Sequence, residues 1–343
     1  MAGKKLILDI VKYILFFGAG IGIFIWVYRR QDMDSIWKGL SEFKYGWIIA
    51  SLGVSVLSNL LRSMRWKMLI ESIGFKPRLS NTFLSVLVMY LANYALPRLG
   101  EVTRCGVLKK YEGIPFTSQL GTVLMERIVD VIALLVMLAA VLLVDWNTLT
   151  SFGKLGQVGS ESNGYSFLSS TWFFLLVGLL IALIVVAWLT RRSWSQTRPV
   201  LKIRSFLGKF LEGLKSVLRL KSPWLFILLT IGIYGSYYLM TWFVMLGFGP
   251  TQGLSPFIAL AVLAFGSVGM ALPVQGGLGT YHAFVVATLL LYGIAESDGM
   301  LLALVLHGST TIFVIFIGIL ALVFLPLVNR QHPPGVSLVD REG

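Results

Sequence analysis

Charge is scarce in this chain: only 13% of its 343 residues are Asp, Glu, Lys or Arg, about half the share of an average soluble domain. That deficit excludes most soluble enzymes. Cysteine occurs once, at Cys105, and histidine three times, which excludes an internal disulfide framework and a Cys/His metal cluster of the usual spacing. Catalytic signatures are missing too. There is no Walker-type Gly-Lys-Ser/Thr loop, no His-Glu-x-x-His and no Gly-x-Ser-x-Gly, so no ATP-driven step, cofactor or metal is expected and an enzyme is disfavoured.

Apolar residues fill the space that charge leaves. They make up 56% of the chain, and with about 20 needed to cross a hydrocarbon core they supply several full spans. Basic residues outnumber acidic ones by 29 to 16, a net of +13. In a soluble protein that excess would suggest nucleic acid; in a membrane chain it fixes orientation and meets anionic lipid, and no nucleic-acid partner is expected.

The apolar stretches run 13–28, 47–61, 79–96, 120–144, 171–189, 224–246, 256–272, 281–292 and 300–325. The first follows Lys4, Lys5 and Lys12 but ends without a small-residue cleavage site, so it reads as a retained helix. Between 190 and 223 lie nine Lys or Arg against Glu212 alone, with five more in 62–78 and four in 97–119. Those loops are cytoplasmic by the positive-inside rule. Residues 145–170, 247–255 and 293–299 hold one basic residue between them, Lys154, and read as external. The loop 29–46 fits poorly, with four basic residues against three acids.

Segment 79–96 therefore lies between two cytoplasmic loops and must enter and return. Segment 256–292 lies between two external loops and is broken near Pro273, so it is a second hairpin entered from the other side. A single crossing at 79–96 would put the nine-basic loop outside. The turns match: Ala95-Leu-Pro-Arg-Leu-Gly-Glu101 and Ala271-Leu-Pro-Val-Gln-Gly-Gly-Leu-Gly279 share Ala-Leu-Pro and a later Leu-Gly. The expectation is an all-α polytopic membrane protein with about six full transmembrane helices and two broken or re-entrant helical hairpins arranged as an inverted repeat, all in one membrane domain, 1–343. The first repeat is 47–144 with its hairpin near 79–110; the second is 224–325 with its hairpin near 256–292; 326–343 is a short cytoplasmic tail. Broken helices at matching places in inverted halves point to a transport site. At 199–221, Ile203, Phe206, Leu207, Phe210, Leu211, Leu214, Val217 and Leu218 recur every three or four residues among basic ones, as in an amphipathic helix on the cytoplasmic leaflet or against a partner.

Charges inside apolar segments are expensive and functional by default. Glu126, Arg127 and Asp130 lie about two turns into the stretch that begins near Leu120, with Glu126 and Asp130 on one face. They either contact substrate or pin the first hairpin through Arg98 or Arg104. The first turn adds Asn93, Arg98, Glu101 and Arg104; a guanidinium fork suits a phosphate, although positive-inside anchoring is the plainer role. In the second turn Gln275, Gly276, Gly277 and Gly279 permit positive φ and close backbone approach, ahead of a helix start near Thr280 that suits an anion. His282 and His307 are candidates for a proton relay, or simply bond a neighbouring helix. Arg62, Arg65 and Trp66 read as an interface anchor.

At these residues the chain resembles a family. Asn93-Tyr-Ala-Leu-Pro-Arg-Leu-Gly-Glu-Val-Thr-Arg104, Glu126-Arg127-x-x-Asp130 and Leu272-Pro-Val-Gln-Gly-Gly-Leu-Gly279 resemble the membrane region of bacterial lysylphosphatidylglycerol synthases, the flippase-like domain family, over roughly residues 10–325. The resemblance implies a membrane region that moves aminoacylated phosphatidylglycerol between leaflets; in bifunctional members a soluble C-terminal domain makes that lipid. Here 18 residues follow Leu325, so aminoacyl transfer is not expected. The expected function is a lipid translocase of a bacterial inner (plasma) membrane, both termini cytoplasmic, whose partner is an anionic or aminoacylated phospholipid. In that picture Arg98 and Arg104 hold the phosphate while Glu126 and Asp130 orient them or bind a basic head group. The alternative is a non-transporting scaffold for a separately encoded lipid-modifying enzyme.

Overall fold

A computed structural model describes residues 38–95, 99–145, 220–272 and 274–330. The expected helices at 13–28 and 171–189, residues 199–219 of the helix expected at 199–221, Arg98 and residues 331–343 lie outside the described residues. By contacts the chain falls into two units, 1–141 with 220–343, and 142–219. The elements below belong to the first, apart from the last turn of α4.

The described elements are helical: α1 (Tyr45–Glu71), α2 (Leu79–Ala95), α3 (Leu99–Glu112), α4 (Phe116–Val144), α5 (Pro223–Leu246), a single turn α6 (Gly249–Gln252), α7 (Pro256–Ala271), a 3-10 turn (Gln275–Gly277), α8 (Thr280–Leu291) and α9 (Glu296–Val328). The protein is an all-α membrane protein. Four helices, α1, α4, α5 and α9, are long and apolar enough to cross a bilayer. α2, with 17 residues, reaches only about 25 Å at 1.5 Å per residue and α8, with 12, about 18 Å, both short of a ~30 Å core. Leu124, Val131, Leu135 and Val136 on α4, and Ile312, Phe316, Ile319 and Val323 on α9, are exposed. In water such stripes would be a liability; against lipid tails they carry no penalty.

Local sequence sets the helix starts. Pro223 and Pro256 sit in first turns, and the Ser255 hydroxyl accepts the Phe257 amide at 3.3 Å, the serine and proline pairing that favours a start. The largest departure from the sequence reading is α1, which continues ten residues past Leu61 to Glu71. Charge did not end it, because Arg62 and Arg65 are buried and paired.

The order long, short, short, long occurs twice, α1 to α4 and then α5, α7, α8, α9. The leading helices of the two sets pack antiparallel: Lys44 meets Gly247, Ser51 bonds the Met240 carbonyl and Arg65 reaches Thr230. α2 and α9 are antiparallel as well, from Asn81 beside Asn329 to Tyr94 bonded to Thr311. There a Cβ on Gly318 would lie 2.7 Å from Leu91 Cβ, so the two backbones come close, and Leu84, Leu87, Val88, Ala321 and Leu325 fill the seam. A second core, around Trp66, Met89, Cys105, Leu108 and Val123, joins α1 to the first hairpin and α4.

Candidate functional site

A polar stripe runs down one face of α1: Ser51, Ser55, Ser58, Arg62 and Arg65, spaced by four and three residues. In an apolar helix such a stripe must find polar neighbours. Its lower end does. Arg62 Nη1 donates to Glu126 Oε1 at 2.5 Å and to Asp130 Oδ2 at 3.2 Å, and its Nη2 donates to the Tyr237 hydroxyl at 3.1 Å. Arg65 Nη2 donates to Asp130 Oδ1 at 2.6 Å and lies 3.5 Å from Glu126 Oε1. From α3, Arg104 Nη1 donates to Glu126 Oε2 at 2.8 Å while its guanidinium lies 4.3 Å above the Trp66 ring. Trp66 in turn donates to Thr122 on α4.

The side chains of Glu126, Arg65 and Arg104 have no solvent exposure. Glu126 thus pins α1 and the first hairpin to α4, one of the two roles its position suggested. Arg62 and Arg65, read from sequence as interface anchors, belong instead to this buried cluster. Their carboxylate partners lie more than 60 residues away, which a local reading could not supply; the serine stripe was the available signal.

Arg127 differs from the other three arginines. Its contacts to Glu101, Glu126 and Asp130 are 3.7, 3.8 and 3.8 Å, longer than hydrogen bonds, and its side chain is 43% exposed. Four guanidiniums face three carboxylates in this cluster, so one positive charge is in surplus. The loosest and most open of the four carries it.

Arg127 lines a cavity of about 720 Å³. The upper part of the α1 stripe forms one wall, and the tips of both hairpins form others: Asn93 and Tyr94 from the first, Met270 to Leu272 with Gly276 and Gly277 from the second. Asn93 Oδ1 accepts the Gly100 amide at 2.8 Å, closing the first turn across the break in the helix. The second turn bends through positive φ at Gly276, Gly277 and Gly279, 59°, 68° and 80°. α8 starts at Thr280, whose hydroxyl donates to the Gly269 carbonyl at 2.8 Å, so it binds the facing helix. His307 lines the cavity and lies 5.0 Å, centroid to centroid, from His282. Of the residues singled out by sequence, Asn93, Arg127, Gly276, Gly277 and His307 meet at the cavity. Glu101, Glu126, Arg104 and Asp130 lie in the ion cluster beside it, and the side chains of Arg98 and Gln275 lie outside the described residues. Sequence reasoning passed over Ser55, Ser58, Asn59, Tyr237 and Thr310, which also line it.

A family model of the lysylphosphatidylglycerol synthase TM region matches residues 10–318. The chain belongs to this family. Over 181 residues it is 28% identical to a UPF0104 membrane protein of Methanocaldococcus jannaschii, covering 52% of this chain and 49% of that protein; the chain thus spans about half the length of that curated relative. No solved structure matches the chain. As a member of the lysylphosphatidylglycerol synthase TM region family it is a multi-pass membrane protein.

Proposed function

We propose that this protein is a lipid translocase, flippase-like, that moves a lipid with a phosphate-bearing head group between leaflets. The observation that carries the reading is the cavity of about 720 Å³, part polar and part apolar, walled by the tips of both hairpins, with the surplus charge of Arg127 at its edge. Backbone broken inside a membrane is tolerated where it lines a cavity, and opposed broken helices around one site are the common plan of carriers. The antiparallel packing of α1 on α5 supports reading the two sets of helices as an inverted repeat. Arg127 offers a planar fork to a phosphate, while Glu126 and Asp130 hold the other arginines in place. The basic residues of 190–223, with Lys76, Arg78, Lys109 and Lys110 at the open end of the first hairpin, support placing that end and both termini on the cytoplasmic side of a bacterial inner membrane. The protein acts as a carrier, not an enzyme. The scaffold alternative drew on 199–221, of which 199–219 lie outside the described residues.

The test is exchange of tail-labelled phosphatidylglycerol between leaflets of vesicles holding the purified chain. The expected result is exchange faster than in protein-free vesicles, reduced roughly tenfold in Arg127→Gln through loss of a charge-assisted pair and reduced also in Arg98→Ala. Exchange no faster than in empty vesicles would overturn the reading; full rates in both variants would remove these arginines from the site.

A further inference from the structure

The chemistry of the cavity wall separates two kinds of head group. No Asp or Glu is among the described residues that line it; of the carboxylates nearby, Glu126 and Asp130 are hydrogen-bonded to arginines, and Glu101 lies 3.7 Å from Arg127 with its Oε2 unbonded among the described residues. The charge that does face the space is the guanidinium of Arg127, whose buried Nε has no hydrogen-bond partner among the described residues. The rest of the polar wall is neutral: Ser55, Ser58, Asn59 and Thr310 line the cavity, and their side chains make no hydrogen bond to another described residue. His307 adds a ring whose Nε2 is also without one. Polar groups turned into a membrane cavity need partners from whatever fills it.

We propose that the head group taken here is anionic and rich in hydroxyls, a glycerol or sugar phosphate carried by a lipid, and not an aminoacylated, cationic one; this rests on the translocase reading above. The phosphate lies against Arg127, and the polyol hydroxyls exchange hydrogen bonds with the serines of α1, Asn59 and Thr310. An ammonium in the same space would meet the guanidinium of Arg127 with no carboxylate among the described lining residues, the kind of repulsion by which sites reject a near-relative of their ligand. The volume lies within the range of pockets that enclose small ligands.

Binding to the purified full chain in detergent separates this inference from the translocase reading. The probes are dihexanoyl phosphatidylglycerol, its lysyl ester, dihexanoyl phosphatidic acid and free glycerol 3-phosphate, each titrated by its effect on thermal unfolding. Phosphatidylglycerol is expected to bind at least about tenfold more tightly than the lysyl ester. Arg127→Gln removes most of that preference, and Arg127→Lys restores part of it. The double variant Ser55→Ala, Ser58→Ala weakens phosphatidylglycerol but not phosphatidic acid, which lacks the polyol. Equal or tighter binding of the lysyl ester overturns the inference, and leaves the translocase reading standing if vesicles still exchange lipid. Free glycerol 3-phosphate binding as tightly as the lipid upholds the head-group chemistry while removing the lipid as cargo. Absence of binding by every probe overturns it outright.

Discussion

The first hairpin, α2 and α3, is fastened by charge: Arg104 reaches Glu126, Glu101 lies 3.7 Å from Arg127, and at its mouth Glu112 accepts from Arg78 and Asn81. The second, α7 and α8, has no Asp, Glu, Lys or Arg from Pro256 to Leu291. It closes on glycine, with Gly269 so near Thr280 that an added Cβ would sit 2.8 Å from its carbonyl oxygen. Yet both present their tips to one cavity. A lock of buried ions is strong only while complete, since each ion depends on the others for solvation, so the first hairpin makes a fixed wall. Backbone packed on small residues has no such all-or-none cost, and the second hairpin makes the more yielding wall.

Breaking the charged lock should have the largest effect. Glu126→Leu strands Arg104 in an unexposed site and leaves Arg62 only Asp130 and Tyr237, and a loss on the order of 3–5 kcal/mol is expected, read as thermal or denaturant unfolding in detergent. A loss under about 1 kcal/mol would mean that charge does not hold this hairpin. The matching change in the second, Gly269→Val, forces apart two backbones already in contact and should cost about 1–3 kcal/mol. Should it exceed Glu126→Leu, the assignment of fixed and yielding walls reverses. Asn93→Ala opens one hydrogen bond at the first tip while leaving the ions intact, for about 1 kcal/mol; measured lipid exchange should fall more than stability does. Smallest of all, Lys67→Ala removes the exposed pair with Glu71 and should change stability by no more than about 0.5 kcal/mol, a difference that vanishes in high salt.

Most of the element list was legible before any coordinates. Apolar length locates the long helices α4, α5 and α9 and both legs of the second hairpin to within a few residues, because the bilayer imposes length and every backbone group must be bonded within the protein; the return leg of the first, α3, lies in 97–119, which its four basic residues made read as a cytoplasmic loop. α1 was the other exception. Arg62 and Arg65 stand where an apolar run meets a basic loop, and a guanidinium that snorkels to the interface looks the same in sequence as one that turns inward. What distinguishes them is a partner on another helix. The carboxylates of α4 were visible as anomalies in an apolar segment, and Asn93 and the glycines as turn residues. The neutral part of the cavity was harder to see, since only the spacing of Ser55 and Ser58 marks them and nothing marks Thr310 until all three are seen to line one space.

The ion cluster also bears on the order of synthesis. α4 carries Glu126, Arg127 and Asp130 in an otherwise apolar helix, and each acidic or basic residue without a partner at mid-depth adds a few kcal/mol to the cost of inserting it. The arginines that hold its carboxylates at hydrogen-bond distance, Arg62, Arg65 and Arg104, all lie nearer the N-terminus and leave the ribosome first. By the time α4 is made, its counter-ions are waiting in the membrane. Nascent chains cut after residue 144 should therefore insert α4 fully, whereas the same segment fused behind an unrelated leader should insert poorly, and restoring α1 and α3 ahead of it should recover insertion.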